Sequence, residues 1–319
     1  MKFSTARTLA VAAVISTLFM MTVAYYWPIQ DPYHPLNSDW NGCTKLTEHA
    51  KSVTLVSSYN EPLPGSLSLL AIIGPIANFS KSESSAIRAY TELGGTVLLA
   101  DDFGSANSLL QELNIDARFA GEPLADLHYY SRTPDFPLVG NFASSPITSN
   151  VTTIVLNHPT YIEVGNESTV KVLAQSSPFS FVDLSGTGEP FPNETINSYT
   201  VMAVANIGKG MLVMVSDPSL FVNEMITILD NMRLFQNLLG IGGGLLLFDV
   251  AHLSKAPLTD LRVSLRQSIQ SLGRSIPLFS TTQSVFAVVV AVAVVMGVSV
   301  EVIRIFRNRR AKSNNHSIY

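Results

Sequence analysis

Charged residues are scarce in this chain: Asp, Glu, Lys and Arg make up 14% of its 319 residues, whereas an ordinary soluble domain contains about 25%. Cysteine is scarcer still, because Cys43 is the only one, and a single cysteine excludes a disulfide within the chain. No basic patch interleaved with aromatic residues occurs between the two ends of the sequence, which argues against a nucleic-acid partner. The shortage of charge instead reflects two long apolar segments.

These two apolar segments contain no charged residue. They run from Leu9 to Trp27 and from Val285 to Val300, and a helix that spans a bilayer needs about 20 mostly apolar residues. The sequence therefore predicts one transmembrane helix within residues 1–27 and another within residues 282–306. The alternative for the first segment is a signal peptide cleaved near Ala24.

Charge asymmetry predicts the orientation. Lys2 and Arg7 precede the first apolar segment and residues 307–319 are basic, whereas residues 28–275 carry 13 Lys and Arg against 23 Asp and Glu. Basic flanks stay on the cytoplasmic side, so we expect a cell-membrane protein with both termini cytoplasmic and its central domain outside. Its predicted partners are the membrane and other membrane proteins. Four Asn-x-Ser/Thr sequons would then be possible glycan acceptors: Asn78, Asn150, Asn166 and Asn193.

The middle of the chain is predicted to form one α/β domain. A Pro-rich linker covers residues 28–51, the domain covers 52–257, and an amphipathic helix follows over 258–275. Several predicted strands are continuously apolar, which is typical of strands buried on both faces of a parallel sheet. We therefore expect a mostly parallel sheet flanked by helices, with residues 115–195 as an irregular excursion or a small subdomain.

The boundaries follow from apolar runs and turn residues. Strands are predicted over residues 52–57, 67–73, 96–100, 152–156, 170–174, 199–206, 210–215 and 245–248. Helices are predicted over residues 81–93, 106–113 and 219–239. Ser80 followed by Glu83 indicates a capping box at the start of the first of these helices.

Four segments resemble an uncharacterised family, the domain of unknown function 4350 (DUF4350). They are LLAIIGP at 69–75, TVLLADD at 96–102, IGKGMLVMVSDPSLF at 207–221 and LLLFDVAH at 245–252. The resemblance covers residues 50–255 and implies a membrane-anchored protein. It also implies an amidotransferase-like or flavodoxin-like fold, similar to class I glutamine amidotransferase domains and to the auxiliary component of gliding-type ABC transporters. It implies no activity.

Polar residues gather where the predicted parallel strands end, which is the edge where ligands bind in such sheets. The candidate binding corner consists of Asp101, Asp102, Asp217, Asp249 and His252. Carboxylate oxygens suit calcium or magnesium, but no spacing motif for either ion is present, so neither a metal nor a cofactor is predicted. Asp249 with His252 three residues later is the favoured functional pair, because binding chemistry is common in loops at this edge.

The turn Ser216-Asp217-Pro218-Ser219 has a structural interpretation, since Asp and Ser at a helix start accept backbone N–H bonds. Asp230 and Asn231 are predicted to hydrogen-bond back to this turn. The chemical alternative is a nucleophile at Ser216 or Ser219 served by His252 and Asp249. The G-x-S-x-G elbow of such enzymes is missing.

The expected function is a non-catalytic binding or scaffold subunit at the cell surface, for which an ABC-type or other membrane complex is one setting. One alternative is a hydrolase that uses Asp249 and His252. Another is a structural glycoprotein of the cell envelope. Cys43 is expected to be dispensable, because it precedes the predicted domain.

Overall fold

The computed structural model describes residues 28–64, 67–191, 194–256 and 259–264, with the isolated positions 12, 16, 19 and 22. The chain divides into two compact units, residues 29–255 and residues 1–28 with 256–319. In the second unit, residues 259–264 are helical, and the Arg262 guanidinium donates to the Pro28 carbonyl over 3.2 Å. The rest of the helix predicted over 258–275 lies outside the described residues.

The 29–255 unit is built on one large sheet. Its described strands are β1 Ser52–Val56, β2 Leu69–Ile73, β3 Thr96–Ala100, β4 Ala117–Phe119, β5 Leu124–Asp126, β6 Leu138–Val139, β7 Asn141–Phe142, β8 Ile154–Val155, β9 Ile162–Val164, β10 Val170–Gln175, β11 Ser180–Val182, β12 Thr200–Ile207, β13 Gly210–Val215 and β14 Leu245–Asp249. Eight of them form the sheet in the order β1-β14-β2-β3-β13-β12-β10-β7, and the others form the pairs β11–β5, β4–β9 and β6–β8.

The sheet is mixed, which corrects the prediction of a mostly parallel one. Strands β1, β14, β2, β3 and β13 run parallel, whereas β12, β10 and β7 extend the sheet with antiparallel pairs. A tight turn at Gly208, whose φ is 60°, sends β13 straight back along β12, and such a hairpin can only be antiparallel. The amidotransferase-like or flavodoxin-like architecture is therefore not confirmed.

Four α-helices lie in the described part of this unit: α1 Thr44–Glu48, α2 Lys81–Glu92, α3 Ala106–Glu112 and α4 Asn231–Ile241. Helix α2 begins at the predicted capping box, in which Ser80 Oγ accepts from the Glu83 amide and the Ser80 amide donates to Glu83. The helix predicted over 219–239 is wrong in its first half. A 3-10 turn at Ser219–Phe221 ends at the extended residue Val222, and α4 does not start until Asn231.

Helices cover both faces of the parallel strands. On one face Ile87 of α2 and Leu109 of α3 pack with Leu70 and Leu99. On the other face Leu234 and Phe235 of α4 and Leu46 of α1 pack with residues such as Ala71 and Phe248. Central strands β2 and β3 are buried at every position, so their continuous apolar character has the predicted cause.

The segment predicted as a linker, residues 28–51, packs into the core. Ile29 is 1% exposed, and Cys43 and Leu46 are fully buried. The Cys43 thiol lies 3.5 Å from the Phe221 carbonyl oxygen, to which it donates. Cys43 therefore belongs to the folded unit, and the expectation that it is dispensable loses its basis.

The predicted transmembrane architecture is corrected by the structure. In the described part of the chain, no helix is both long enough and apolar enough to cross a bilayer. Most of residues 1–27 and all of residues 282–306 lie outside that part. The prediction of a membrane protein with cytoplasmic termini is thus unsupported. The interpretation of the sequons as glycan sites loses its support with it, because it depended on export.

Candidate functional site

The parallel strands bring the predicted polar residues to one edge of the sheet. Because β14, β2, β3 and β13 are adjacent, Asp249, Gly74, Asp101 and Ser216 all lie at or directly after their carboxyl ends. Strand β2, which ends in Ile73, separates β14 from β3. The five predicted site residues therefore belong to two groups on either side of β2.

The first group is a buried pair. His252 Nδ1 lies 2.9 Å from Asp249 Oδ2, and Asp249 Oδ1 accepts from the Ala251 amide over 3.1 Å. His252 is 2% exposed and Asp249 is 1% exposed. The imidazole stacks on the Phe79 ring with a centroid distance of 3.8 Å. Ring, carboxylate and backbone turn thus form one packed element.

The second nitrogen of His252 is also engaged. Its Nε2 lies 3.7 Å from Glu83 Oε1 in the first turn of α2. Burial acts to raise the pKa of Glu83, but hydrogen bonds from Ser80 and the proximity of His252 outweigh it and lower that pKa. A general base needs a nitrogen that a substrate can reach. Here both nitrogens contact carboxylates, so the geometry favours a packing role for Asp249 and His252.

The second group begins with Asp101, which holds the loop between β3 and α3. Its Oδ2 accepts from the Ala106 amide over 2.9 Å and its Oδ1 accepts from the Gly104 amide over 3.2 Å. Burial raises the pKa of Asp101 to about 6, although these N–H donors act in the opposite direction. Gly104 is required in this loop, because a Cβ there would lie 2.4 Å from the Pro75 carbonyl oxygen.

Asp217 is fully buried and joins two backbone segments. Its Oδ1 accepts from the Ser219 amide and its Oδ2 accepts from the Asn157 amide, each over 2.7 Å. Burial raises the pKa of Asp217 to about 8 against these two donors. The Ser219 bond agrees with the predicted turn-capping role, whereas the bond to Asn157 could not be read from the sequence.

The structure does not bring together the serine, histidine and aspartate of the serine alternative. Ser216 Oγ is buried and, among the described residues, has no hydrogen-bond partner. Ser219 Oγ lies 3.3 Å from the Tyr33 hydroxyl. Neither serine contacts His252, whose nitrogens face Asp249 and Glu83. A nucleophile without a base within hydrogen-bond reach is not activated.

Asp102 and Phe103 form the outer part of the second group. Asp102 is half-buried, and its Oδ1 accepts from the Phe103 amide over 2.6 Å. Burial raises the pKa of Asp102, and the nearby His158 lowers it. The Phe103 side chain is 52% exposed. An exposed aromatic ring therefore adjoins a partly desolvated carboxyl group at the sheet edge.

Above this edge the excursion encloses a cavity of about 440 Å³, which we term the strand-end cleft. It is lined by Phe103, Pro123, Leu124, Ala125, Thr133, Pro134, Asp135, His158, Asp183, Gly186, Thr187 and Gly188. One wall comes from Phe103 in the loop after β3, and the other walls come from residues 123–125, 133–135, 158, 183 and 186–188. The strand-end cleft therefore exists only because the excursion folds back over the sheet.

Two polar side chains of the strand-end cleft are in close contact. His158 Nε2 lies 2.8 Å from Asp135 Oδ2, and the imidazole is 64% exposed. The backbone of His158 has a φ of 53°, which is uncommon for a residue with a side chain. The His158 amide donates to the Asp135 carbonyl over 2.8 Å, and this bond helps to hold the strained conformation.

The loop from Asp183 to Gly188 closes the strand-end cleft and is fixed by its own carboxylate. Asp183 Oδ1 accepts from Ser185 Oγ and the Thr187 amide. Its Oδ2 accepts from the Gly188 amide over 2.8 Å. Gly186 and Gly188 have φ values of 66° and 73°, which glycine adopts without strain.

Asp230 and Asn231 contact the segment around β8 rather than the turn after β13. Asp230 Oδ2 accepts from the Thr152 amide and hydroxyl, and hydrogen bonds from Thr152 lower the pKa of Asp230. Asn231 is fully buried and pairs with both backbone groups of Val155 at 3.0 Å. Both residues therefore attach the excursion to the start of α4.

Four residues of the strand-end cleft were not predicted from the sequence: Phe103, Asp135, His158 and Asp183. The sequence did offer one signal, which is turn-forming residues. Pro159 follows His158, and a Gly-rich stretch follows Asp183. Asn78, Asn150 and Asn166 are exposed, and Asn193 lies outside the described residues. In the described ranges no three His, Cys, Asp or Glu side chains are placed to hold a metal ion.

Comparison with known proteins identifies a family. No curated protein matches the chain. Solved structures with some likeness include the mmIFT52 N-terminal domain, at 17% identity and a TM-score of 0.43 over 55% of this chain and 77% of that one. A cytoplasmic protein from Salmonella typhimurium LT2 is 14% identical, with a TM-score of 0.34 over 50% of this chain and 60% of that one.

A β-galactosidase from Bacillus circulans sp. alkalophilus is 12% identical, with a TM-score of 0.30 over 60% of this chain and 23% of that one. These likenesses are too weak to carry an argument. The family match is different in kind, because it covers residues 35–239 without interruption. The chain belongs to the family described as domain of unknown function (DUF4350).

Proposed function

We propose that the 29–255 unit is a non-catalytic binding domain and that the strand-end cleft is its ligand site. A scaffold role in a larger assembly would use the same cleft, with the ligand group supplied by a partner. The observation that carries the proposal is the position of this cavity next to the carboxyl end of β3. Phe103, in the loop after β3, lines the cavity, and so does His158, which follows a residue bonded to Asp217 after β13. Ligands of parallel sheets bind at this edge.

The dimensions and lining of the cavity support the proposal. A volume of about 440 Å³ lies within the range of about 300–1,000 Å³ that is typical of small-ligand pockets. Its walls are mostly apolar, with Phe103, Leu124 and Pro134 among them, and its polar groups include His158 and Asp135. An apolar pocket with a few placed polar groups is the usual form of a ligand site.

The absence of an activated nucleophile supports binding rather than catalysis. Within the described ranges, Ser216 Oγ is buried without a partner, and Cys43 is buried in the core. Burial raises the pKa of the Cys43 thiol far above its ordinary value, so the reactive thiolate is not formed near neutral pH.

The proposal is tested by ligand-observed NMR with a fragment library on the full chain. We compare Phe103→Ala with Leu93→Ala, a matched truncation of another exposed apolar side chain that is 67% exposed. Phe103→Ala should abolish the signals of most fragments that bind the wild type, and Leu93→Ala should retain them. Equal fragment binding by both variants would refute the assignment of the strand-end cleft.

A further inference from the structure

We propose that the strand-end cleft selects ligands with a cationic head group of the ammonium, amidinium or guanidinium class, which contacts the Phe103 ring of its wall close to the carboxylate of the preceding residue, Asp102. This inference rests on the proposed function, because it names the chemistry of that ligand site. It predicts the sign of the ligand charge, which the volume of the cavity alone does not determine.

The charge of the lining is the first argument. In the described structure, no Lys or Arg side chain lines the strand-end cleft, whereas Asp135 and Asp183 do. The nearest basic residue in the sequence, Arg132, contacts Glu224 over 3.7 Å and lies over the Phe136 ring. His158 is paired with Asp135. An anionic ligand would therefore meet carboxylates without a compensating guanidinium or ammonium group.

The Gly-rich loop provides the second argument, because such loops often bind phosphate through backbone N–H groups. Here the amides of Thr187 and Gly188 already donate to the Asp183 carboxylate. That carboxylate occupies the position in which a phosphate would accept the same hydrogen bonds. The loop thus resembles an anion site in sequence, but its amides already donate to a carboxylate of the same loop. This argues against nucleotides and sugar phosphates as ligands.

Asp102 and Phe103 supply the third argument. The Asp102 carboxyl is half-buried, and burial raises its pKa, so ionisation has a desolvation cost that a bound cation would offset. The adjacent Phe103 ring is 52% exposed, and an exposed aromatic face attracts cations. The unit as a whole carries 10 Lys and Arg against 22 Asp and Glu, which favours the approach of cations.

The head group could belong to a free small molecule or to an Arg or Lys side chain of a peptide. Both sources share the chemistry, so the test uses probes for each. Benzamidine, benzamide and benzoate have nearly the same shape and carry charges of about +1, 0 and −1 near neutral pH. Acetyl-Gly-Arg-Gly-amide represents the peptide source.

Affinities are measured by isothermal titration calorimetry at pH 7.5 and low salt, with the full chain. Benzamidine should bind about tenfold or more tightly than benzamide, because a partly buried carboxylate discriminates strongly by charge. Asp102→Asn and Phe103→Ala should each weaken benzamidine at least severalfold. The matched control is Glu92→Gln, an exposed acid at the end of α2, and it should leave the affinity unchanged.

A substitution at His158 tests the sign of the charge a second time. His158→Asn retains a residue that tolerates the left-handed backbone and removes the imidazole that contacts the Asp135 carboxylate. If the head group is cationic, this variant should bind benzamidine as tightly as the wild type or more tightly. Weaker benzamidine binding by His158→Asn would contradict the inference.

The outcomes separate the two proposals. If benzamide or benzoate binds as well as benzamidine and Phe103→Ala abolishes that binding, the ligand site stands and the cation selectivity is wrong. If benzamidine fails to bind, the cation selectivity is also wrong. If benzamidine binds equally to the wild type, Asp102→Asn and Phe103→Ala, the cation site lies elsewhere and the proposed function falls with the inference. Tighter binding of the peptide than of benzamidine would identify the source as a protein side chain.

Discussion

At the scale of single residues, the role of Asp217 depends on its burial. The sequence predicted a carboxylate that caps a turn at the surface, whereas the structure buries this carboxyl group in the core. From the sequence its loss should cost about 1 kcal/mol, as for an exposed helix cap. In the structure it is fully buried and accepts from two amides. A buried donor left without a partner costs about 1–3 kcal/mol, so the cost of removing the carboxylate should be larger than that of a surface cap.

The pH dependence of this cost is predictable. Burial raises the pKa of Asp217 to about 8, whereas an unfolded Asp titrates near pH 3.9. The contribution of this group to folding stability is therefore fully present below about pH 4 and is lost as the pH rises through 8. Asp217→Asn does not titrate. Urea unfolding should show the variant less stable than the wild type at pH 5, by about 1–3 kcal/mol, with a smaller deficit at pH 9.

The wild type is the control for the other titrating groups, such as Asp101, because these are common to both proteins. A deficit that stays constant or grows between pH 5 and pH 9 would contradict a raised pKa at Asp217.

Cys43 is the second residue whose role depends on burial. Because the thiol is fully buried, Cys43→Ser places a hydroxyl in the core, and burying a hydroxyl without a good partner costs about 1–3 kcal/mol. We expect Cys43→Ser to lower the melting temperature by several degrees, as measured by circular dichroism. Cys43→Ala should lower it less, because it adds no polar group. A melting temperature unchanged in Cys43→Ser would restore the original expectation of dispensability.

At the scale of secondary-structure elements, His252 connects the end of β14 to the start of α2. A loop position, as read from the sequence, would make His252→Ala nearly neutral for stability. The structure predicts the opposite, because removal of the ring leaves a cavity beside Phe79 and takes away the imidazole partner of the buried Asp249 Oδ2. We expect a loss of about 2–4 kcal/mol in the free energy of unfolding and faster hydrogen exchange in the first turn of α2.

Glu83→Gln is the matched comparison, because it retains a side chain able to complete the capping box while removing the charge that faces His252. Its destabilisation should be smaller than that of His252→Ala. Equal stability of His252→Ala and the wild type would show that the pair is not structural.

Elements with strong local signals were predictable. The capping box at Ser80, the buried strand 96–100 and the hairpin around Gly208 were all found within one or two residues, because each depends on neighbours in the sequence. The start of α4 was not, since the chain from Val222 to Asp230 is held by distant residues. Asn223, for example, donates to the Asn37 and Asp39 carbonyls, and such contacts leave no local pattern.

At the scale of the whole molecule, the sequence predicted the edge of the sheet but not the cavity above it. Asp101, Asp102 and Asp217 do lie together at the ends of β3 and β13. Asp249 and His252 were assigned to the same corner, although β2 lies between. The strand-end cleft depends on pairings such as Asp135 with His158 and Asp230 with Thr152. Contacts between such distant loop residues leave no local pattern in the sequence.

The central claim is that the strand-end cleft is where this domain binds its ligand. Crystallographic soaking of a fragment library into the full chain tests it most directly, because the position of each bound molecule is observed. Fragments are expected to collect in the strand-end cleft in contact with Phe103 and His158. A strand-end cleft that stays empty while fragments collect elsewhere, for instance in the groove lined by His49, Lys51 and Gln236, would contradict it.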